Sequence, residues 1–222
     1  MEELLERARP SLYNTAMDVF LLDLNTLRGR EEEALRLLSP DRLRKALRLR
    51  RGQLRLQSIG AGLLLRYVFG PRTPERTAAG KPFFPGERCF SLSHSGERAL
   101  LAADEEDVGA DIQAFVSVPE ALARRVLTTA ERQWLETAGE AGFAWLWSRK
   151  EAALKCLGTG ADRPMKSFSV LPGETPELDG KAFALHSLLT DGYALSAASA
   201  AASAGFTLRE VTAEDLMGTE VG

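Results

Sequence analysis

Apolar positions along the chain follow two rhythms, one close to two residues and one close to three and a half. Met17 to Leu24 is mostly apolar and β-prone at its start, which predicts a buried strand. Helical spacing takes over next. Glu31 to Leu38 predicts a short helix, and Ser39-Pro40 supplies an N-cap and an N1 proline for a long helix running to Phe69 and stopping at Gly70-Pro71, with Gly60 and Gly62 weakening its middle. Pro71 to Gly86 holds four prolines and two glycines and predicts a loop, in which Gly80-Lys81-Pro82 sets a cation on a stiff turn. Arg88 to Leu92 and Arg98 to Ala103 predict the strands of a hairpin whose turn is Ser93-His94-Ser95-Gly96, and Val108 to Gln113 predicts a further strand. Val118 to Leu127 and Ala130 to Thr137 read as helices, the second capped by Thr129 or a neighbour, and the helix around Trp147 ends at Gly158 as a C′ glycine. The strands expected in the remainder are Lys166 to Leu171, Ala182 to Leu188, Tyr193 to Ala200 and Phe206 to Val211, with a short helix at Ala213 to Met217.

The order of elements contains a faint repeat. Phe90-Ser-Leu-Ser-His, a turn with Gly96, and Ala99-Leu-Leu-Ala-Ala resemble Phe183-Ala-Leu-His-Ser, a turn with Gly192, and Ala194-Leu-Ser-Ala-Ala. Each hairpin follows a strand and a long helix. The expected fold class is therefore α+β, a pseudo-twofold duplication in which each half is a three-stranded antiparallel sheet packed on a long helix. The halves are residues 1–105 and 106–222. A ligand cleft is expected between them.

Composition narrows the class. The chain has 222 residues, 45% hydrophobic and 27% charged, as in a soluble globular protein with one large core or two small ones. Met1 to Leu12 mixes Glu with Arg and lacks an apolar h-region, and no run approaches the ~20 apolar residues of a membrane helix, so the expectation is a cytoplasmic protein with no membrane contact. Cys89 and Cys156 suit reduced core thiols. With two cysteines and two histidines a zinc site is not expected, and any metal would be a hard cation held by oxygen.

The net charge of -3 hides a basic segment. Asp41 to Arg55 carries Arg42, Arg44, Lys45, Arg48, Arg50, Arg51 and Arg55 against one acid. It is either a solvated helix face or a site for something anionic. Nucleic acid is not the expected partner, because the chain as a whole is acidic and lacks an aromatic and basic platform, whereas a small polyphosphate needs only a few cations.

Two groupings carry candidate chemistry. Trp147, Glu151 and Lys155 are spaced i, i+4, i+8, which puts an indole, a carboxylate and an ammonium on one helix face. Asp111 and Gln113, at i and i+2, share one face of a strand, with Ala110 and Ile112 turned to a core on the other. Taken singly these are an exposed Glu–Lys pair and a half-exposed strand. Together with the upstream cations they are what Mg²⁺-assisted chemistry on a pyrophosphate requires, since Mg²⁺ takes one or two protein carboxylates and completes its octahedron with phosphate oxygens and water.

Lys81-Pro82, Phe90-Ser-Leu-Ser-His-Ser-Gly, Gly109-Ala-Asp-Ile-Gln and Trp147-Ser-Arg-Lys-Glu-Ala occur in the order and approximate spacing of the Sfp-type 4′-phosphopantetheinyl transferases, which the chain resembles over nearly its whole length. The resemblance implies the pseudo-twofold 4′-phosphopantetheinyl transferase fold, with coenzyme A and Mg²⁺ between the halves. It implies an enzyme that transfers 4′-phosphopantetheine from coenzyme A to a serine of an apo acyl or peptidyl carrier protein and releases 3′,5′-ADP. It also implies a monomer, because the duplicated halves bury against each other what a one-unit relative would bury by oligomerising.

Residue by residue, Asp111 matches the first metal carboxylate, and Glu151 the helix carboxylate that ligates the metal or serves as base. Lys155 matches the lysine that holds the phosphates. Lys81, Pro82, Ser93 and His94 match residues lining the coenzyme, and Arg42 and Lys45 the basic residues near its 3′-phosphate. Gln113 stands where many relatives carry a third metal-binding acid, and its amide oxygen can ligate without charge. Gln57 stands where relatives often carry an arginine for the coenzyme, with Arg55 nearby. Two other readings of the same residues are a Mg²⁺-dependent phosphodiesterase or nuclease and a non-catalytic module that binds coenzyme A or a carrier protein.

Overall fold

The computed structural model describes residues 16–50, 52–158, 163–200 and 205–218. Met1 to Leu12 and Arg51, both used above, lie outside them. In chain order the elements are β1 (Met17–Asp23), α1 (Glu31–Arg36), α2 (Pro40–Arg48), α3 (Gln53–Phe69), β2 (Glu75–Arg76), β3 (Pro82–Phe83), β4 (Cys89–Ser95), β5 (Arg98–Asp104) and β6 (Val108–Ala114). They continue with α4 (Glu120–Val126), α5 (Thr129–Leu135), α6 (Gly142–Leu157), β7 (Glu177–Leu178), β8 (Lys181–Ala182), β9 (Ala184–Thr190), β10 (Tyr193–Ser199), β11 (Phe206–Val211) and α7 (Ala213–Met217). The fold is mixed α+β. One sheet runs β11-β1-β5-β4 and a second runs β6-β10-β9, and two short ribbons, β2-β3 and β7-β8, lie outside them.

Period-two alternation explains the layers. In β1 the side chains of Met17, Val19 and Leu21 enter a core shared with Val108, Ala110, Ile112 and Leu195 of the second sheet. Phe20 and Leu22 point the other way, into a core with Ile59, Leu63 and Leu64 of α3. The second sheet backs onto α6, whose Ala152, Ala153 and Cys156 share a third core with Ala198 of β10. The order is thus helix, sheet, sheet, helix. The central strands β1, β5, β6 and β10 are largely buried on both faces, as strands between layers must be, while the edge strands β9 and β11 keep exposed positions.

Five expectations are corrected. The helix expected from Pro40 to Phe69 is two helices, because Leu49 turns extended and Gly52 takes φ 123°, a conformation that favours glycine. Ser39 precedes α2 without a side-chain cap bond. Gly60 and Gly62 do not mark a weak point: a Cβ at Gly60 would strike Leu24, and one at Gly62 would lie 2.6 Å from Leu38 Cδ2. Ser93, His94 and Ser95 belong to β4, and the hairpin turn is Gly96-Glu97, between the paired Ser95 and Arg98. Lys166 to Leu171 is not a strand. It contains a 3-10 turn at Met165–Ser167 and then runs irregularly. The reason is that its backbone is satisfied by side chains instead of a ladder: Lys150 Nζ donates to Met165 O and Phe168 O, Arg149 Nε to Val170 O, and Val170 N–H donates to Glu131.

Two further features tie the layers. Residues 206–217 return to the first sheet, where β11 pairs parallel to β1 and α7 packs its Ala213 and Leu216 into the α3 core. Gly109 lets α6 lie directly on β6, since a Cβ there would overlap the Ala152 carbonyl oxygen and the Cys156 backbone nitrogen. Gly109→Ala must push the helix off the strand, so we expect a loss of roughly 3 kcal/mol, the upper part of the overpacking range, measured as a lowered urea midpoint. An unchanged midpoint would contradict the close approach.

Candidate active site

The helix face read from the sequence opens on a cleft. Trp147, Glu151, Leu154 and Lys155 of α6 form one wall of a cavity of about 800 Å³, faced by Lys81 and Pro82 and by Phe90, Ser91 and Leu92 of β4. Arg125 and Val126 of α4 and the segment Arg163 to Lys166 complete it. The site is a mouth for a ligand of small-molecule size.

Asp111 lies under this wall, 5% exposed. Its Oδ1 accepts from Lys155 Nζ at 2.6 Å and from Ser93 Oγ at 2.6 Å, and Lys155 also donates to Ala110 O at 3.1 Å. Strand and helix meet here because Gly109 permits it. Ser93 is one tooth of a comb. Ser91 Oγ accepts from Ala110 N–H and Ser95 Oγ from Ala114 N–H, a constant offset of nineteen residues, so β4 and β6 run side by side with hydroxyls between them. That offset would assign Ser93 to Ile112. It turns instead to the Asp111 carboxylate. Ser93 therefore reaches the site through Asp111.

Glu151 faces the cleft with its pKa raised, chiefly by burial and next by the Asp111 carboxylate, against the opposing pull of Lys155. A second carboxylate near enough to Asp111 to feel its charge is a fit for a dication that takes two carboxylates and leaves its other positions to phosphate and water. Gln113 shares the Asp111 face of β6, with its amide nitrogen donating to Ala114 O, which leaves the amide oxygen as its only ligating atom. Among the described residues no three of His, Cys, Asp or Glu are grouped to hold a metal. The acids that meet here are Asp111 and Glu151.

A second charge cluster lies on the other face of β4. His94 has its pKa lowered by burial and then by Lys155, Lys45 and Arg42, although its ring remains partly open. Lys45 is lowered by burial, Arg42 and Arg76, and Arg42 by burial and Arg76. Arg42 is 8% exposed; one guanidinium nitrogen donates to Ser58 O at 2.8 Å, while its buried Nε has no partner among the described residues. Like charges gathered with an unsatisfied donor suit a polyanion. Arg76 belongs to this cluster and carried no signal in the sequence beyond being a cation in a proline-rich loop. Lys81 is partly committed, its Nζ donating to Asp107 at 2.8 Å and Cys156 O at 3.2 Å. Gln57 is buried and donates to Gly96 O at 2.9 Å, so it holds the hairpin turn.

The structure thus brings Glu151, Lys155, Lys81 and Pro82 to one cleft, with Asp111 beneath it. Arg42, Lys45 and His94 form the adjoining cationic group. Gln113 sits beside Asp111 on the strand without a shown contact to the acids.

Residues 107–200 match the family model described as the 4′-phosphopantetheinyl transferase superfamily. That span holds two of the four motifs, Gly109 to Gln113 and Trp147 to Ala152, and shows the resemblance there. Among curated proteins, the 4′-phosphopantetheinyl transferase psf-1 of Bacillus pumilus is 37% identical over 97 residues, 42% of this chain and 40% of the relative. The 4′-phosphopantetheinyl transferase AcpT of Salmonella typhi is 34% identical over 112 residues, 47% of this chain and 56% of the relative. The chain spans about half the length of these relatives. Among solved structures, the Thermotoga maritima holo-[acyl-carrier-protein] synthase aligns with a TM-score of 0.33 and 24% identity over 41% of this chain and 61% of that one, a likeness too slight to bear on the fold.

The raised pKa of Glu151 has a stability consequence. A carboxyl whose pKa is higher folded than unfolded costs stability once ionised; the cost is absent below the unfolded value and grows as pH rises through the folded one. Glu151→Gln is therefore expected to raise the melting temperature at about pH 8 and to leave it unchanged at pH ~3, where Glu151 is protonated both folded and unfolded. Melts showing the same difference at both pH values would contradict the shift.

Proposed function

We propose that this chain is a 4′-phosphopantetheinyl transferase acting on coenzyme A and an apo acyl or peptidyl carrier protein. The observation that carries the reading is the placement of Glu151 and Lys155 on the cleft directly over Asp111, beside a cationic cluster fit for a second phosphate. In the proposed reaction the carrier serine oxygen attacks the phosphorus that bears pantetheine. The bond from that phosphorus to the bridging oxygen breaks, 3′,5′-ADP leaves, and the serine proton is released.

Asp111 and Glu151, with the Gln113 amide oxygen as a neutral third donor, would hold Mg²⁺, which when bound supplies charge neutralisation on the pyrophosphate. Lys155 is already aimed at the same place and would bind a non-bridging oxygen. Glu151 is the acid that opens on the cleft; it would either ligate the metal or, left unligated, take the serine proton, for which its raised pKa suits it. Lys81 and Pro82 would line the coenzyme. Arg42, Lys45 and His94, joined by Arg76, would receive its 3′-phosphate.

We also read residues 1–105 and 106–222 as a duplicated unit. The orders β1-β5-β4 and β6-β10-β9, each backed by a long helix, α3 or α6, support that reading. A cytoplasmic monomer accords with it, and no helix among the described residues is long and apolar enough to cross a membrane.

The test is intact-mass spectrometry of an apo carrier after incubation with the protein, coenzyme A and Mg²⁺. Transfer adds the phosphopantetheine mass to the carrier. A binding module would be thermally stabilised by coenzyme A and leave the carrier unmodified, and a phosphodiesterase would cleave coenzyme A or a nucleic acid without a carrier. Asp111→Ala and Glu151→Ala are each expected to slow transfer at least ~100-fold, the scale of losing an electrostatic transition-state group. Near-normal turnover in either would remove it from the site.

Lys45 is exposed, so its removal should spare the fold. Lys45→Ala is expected to raise KM for coenzyme A several-fold, roughly as for a lost charge-assisted hydrogen bond, with kcat unchanged. The same variant should not alter KM for dephospho-coenzyme A. An equal effect on both substrates would place Lys45 away from the 3′-phosphate.

A further inference from the structure

Lys150 and Glu131 are both 0% exposed and pair at 2.9 Å where α6 meets the start of α5 and the segment Met165 to Val170. Neither faces the cleft, and the reaction proposed above uses neither. Each is nonetheless fully engaged. The three N–H donors of Lys150 are matched by Glu131, by Met165 O at 2.8 Å and by Phe168 O at 2.6 Å. Glu131 accepts in addition from Thr128 N–H at 2.8 Å and Val170 N–H at 2.9 Å. Arg149 extends the tie through Val170 O at 2.7 Å.

These bonds join three walls of one cavity. Lys150 precedes Glu151 on α6, Thr128 follows Arg125 and Val126 of α4, and Met165 itself lines the cleft. The segment from Arg163 to Leu171 has only the 3-10 turn at Met165–Ser167 as regular structure, so these side-chain bonds fix its backbone together with the burial of Phe168 and Val170 and the Arg163–Asp179 ion pair. Burying an ion pair is costly, and well-packed apolar residues of the same volume often give equal or greater stability. A hub of this kind at the meeting point of three walls has another use. We propose that Lys150 and Glu131 are positioning residues that set the width of the cleft by fixing the Arg163–Leu171 segment and the end of α4 against α6.

The proposal rests on the transferase reading for its substrate, and its test separates the two. Lys150→Met keeps the volume and removes all three donors. Coenzyme A affinity is measured by calorimetry and turnover by carrier mass, both well below the melting temperature. We expect the Kd and KM for coenzyme A to rise at least ~10-fold with kcat within ~3-fold of wild type, because binding geometry is lost while Asp111, Glu151 and Lys155 stay in place. A residue that served folding alone would instead lower apparent kcat with the folded fraction and leave KM unchanged, and that result overturns the proposal.

If Lys150→Met does not fold, Glu131→Gln decides by the same criterion, since it keeps the side chain's size and one acceptor oxygen while removing the charge and the second acceptor. Failure of both to fold marks the pair as a folding requirement and also overturns the proposal. Wild-type protein that neither binds coenzyme A nor modifies a carrier refutes the transferase reading instead.

Discussion

The outer edge of β6 is met by hydroxyls. An edge strand presents N–H groups that must find partners, and here those of Ala110 and Ala114 find Ser91 and Ser95 of β4. This side-chain seam joins two sheets that share no backbone ladder at that point, and it sets where β6 lies relative to the hairpin. The cleft wall and Asp111 inherit that placement. With Gly109 admitting α6 to contact, the Asp111 carboxylate ends under Lys155 and between the two halves of the fold. Movement of the seam by one residue would turn Asp111 into the apolar core and Ile112 toward the cleft, since alternate strand residues face opposite ways.

The charges around the cleft lie in two groups of opposite need. The Asp111 carboxylate disfavours the ionisation of Glu151, and neighbouring cations disfavour the protonation of Arg42, Lys45 and His94. Each group is relieved by a ligand of the opposite sign. On the proposed reading a metal-bound polyphosphate would bring a cation to the first and an anion to the second, so both groups favour the same class of ligand. The deep cavity beside them, with Trp147, Val126 and Leu154 among its walls, suits the less polar remainder of such a molecule.

What the sequence disclosed was set by local periodicity. Trp147, Glu151 and Lys155 could be placed together because helix spacing alone puts them on one face, and Asp111 with Gln113 because strand spacing does. The serines at 91, 93 and 95 show the same period of two, that of one strand face, yet Ser93 to Gly96 reads as a turn because Ser, His and Gly are common in turns. The break at Gly52 was hidden by strong helical spacing on both sides of it. Lys166 to Leu171 misled for a non-local reason: its backbone partners come from Glu131, Arg149 and Lys150, distant in the chain, and no window of sequence contains them. Arg76 joins Arg42 and Lys45 only through the packing of its loop. Glu131 was visible as the N3 acid of a capping box begun by Thr128, but nothing local indicates that it also meets a buried lysine.

The parallel pairing of β11 with β1 has a consequence for how the protein is made. Met17 lies opposite Phe206, so the first sheet gains its fourth strand only after about 190 intervening residues exist. At ribosomal speeds of about 5–20 residues per second, that interval is roughly 10–40 s. During it β1, rich in Val, Phe and Leu, is an open edge in a nascent chain, the situation that favours edge-to-edge association. Closure of a loop this long is entropically slow compared with the neighbouring hairpins. The pairing of residues 17–22 with 206–211 is thus set to be the last step of folding, and the yield of soluble protein depends on β1 being sheltered until that strand arrives.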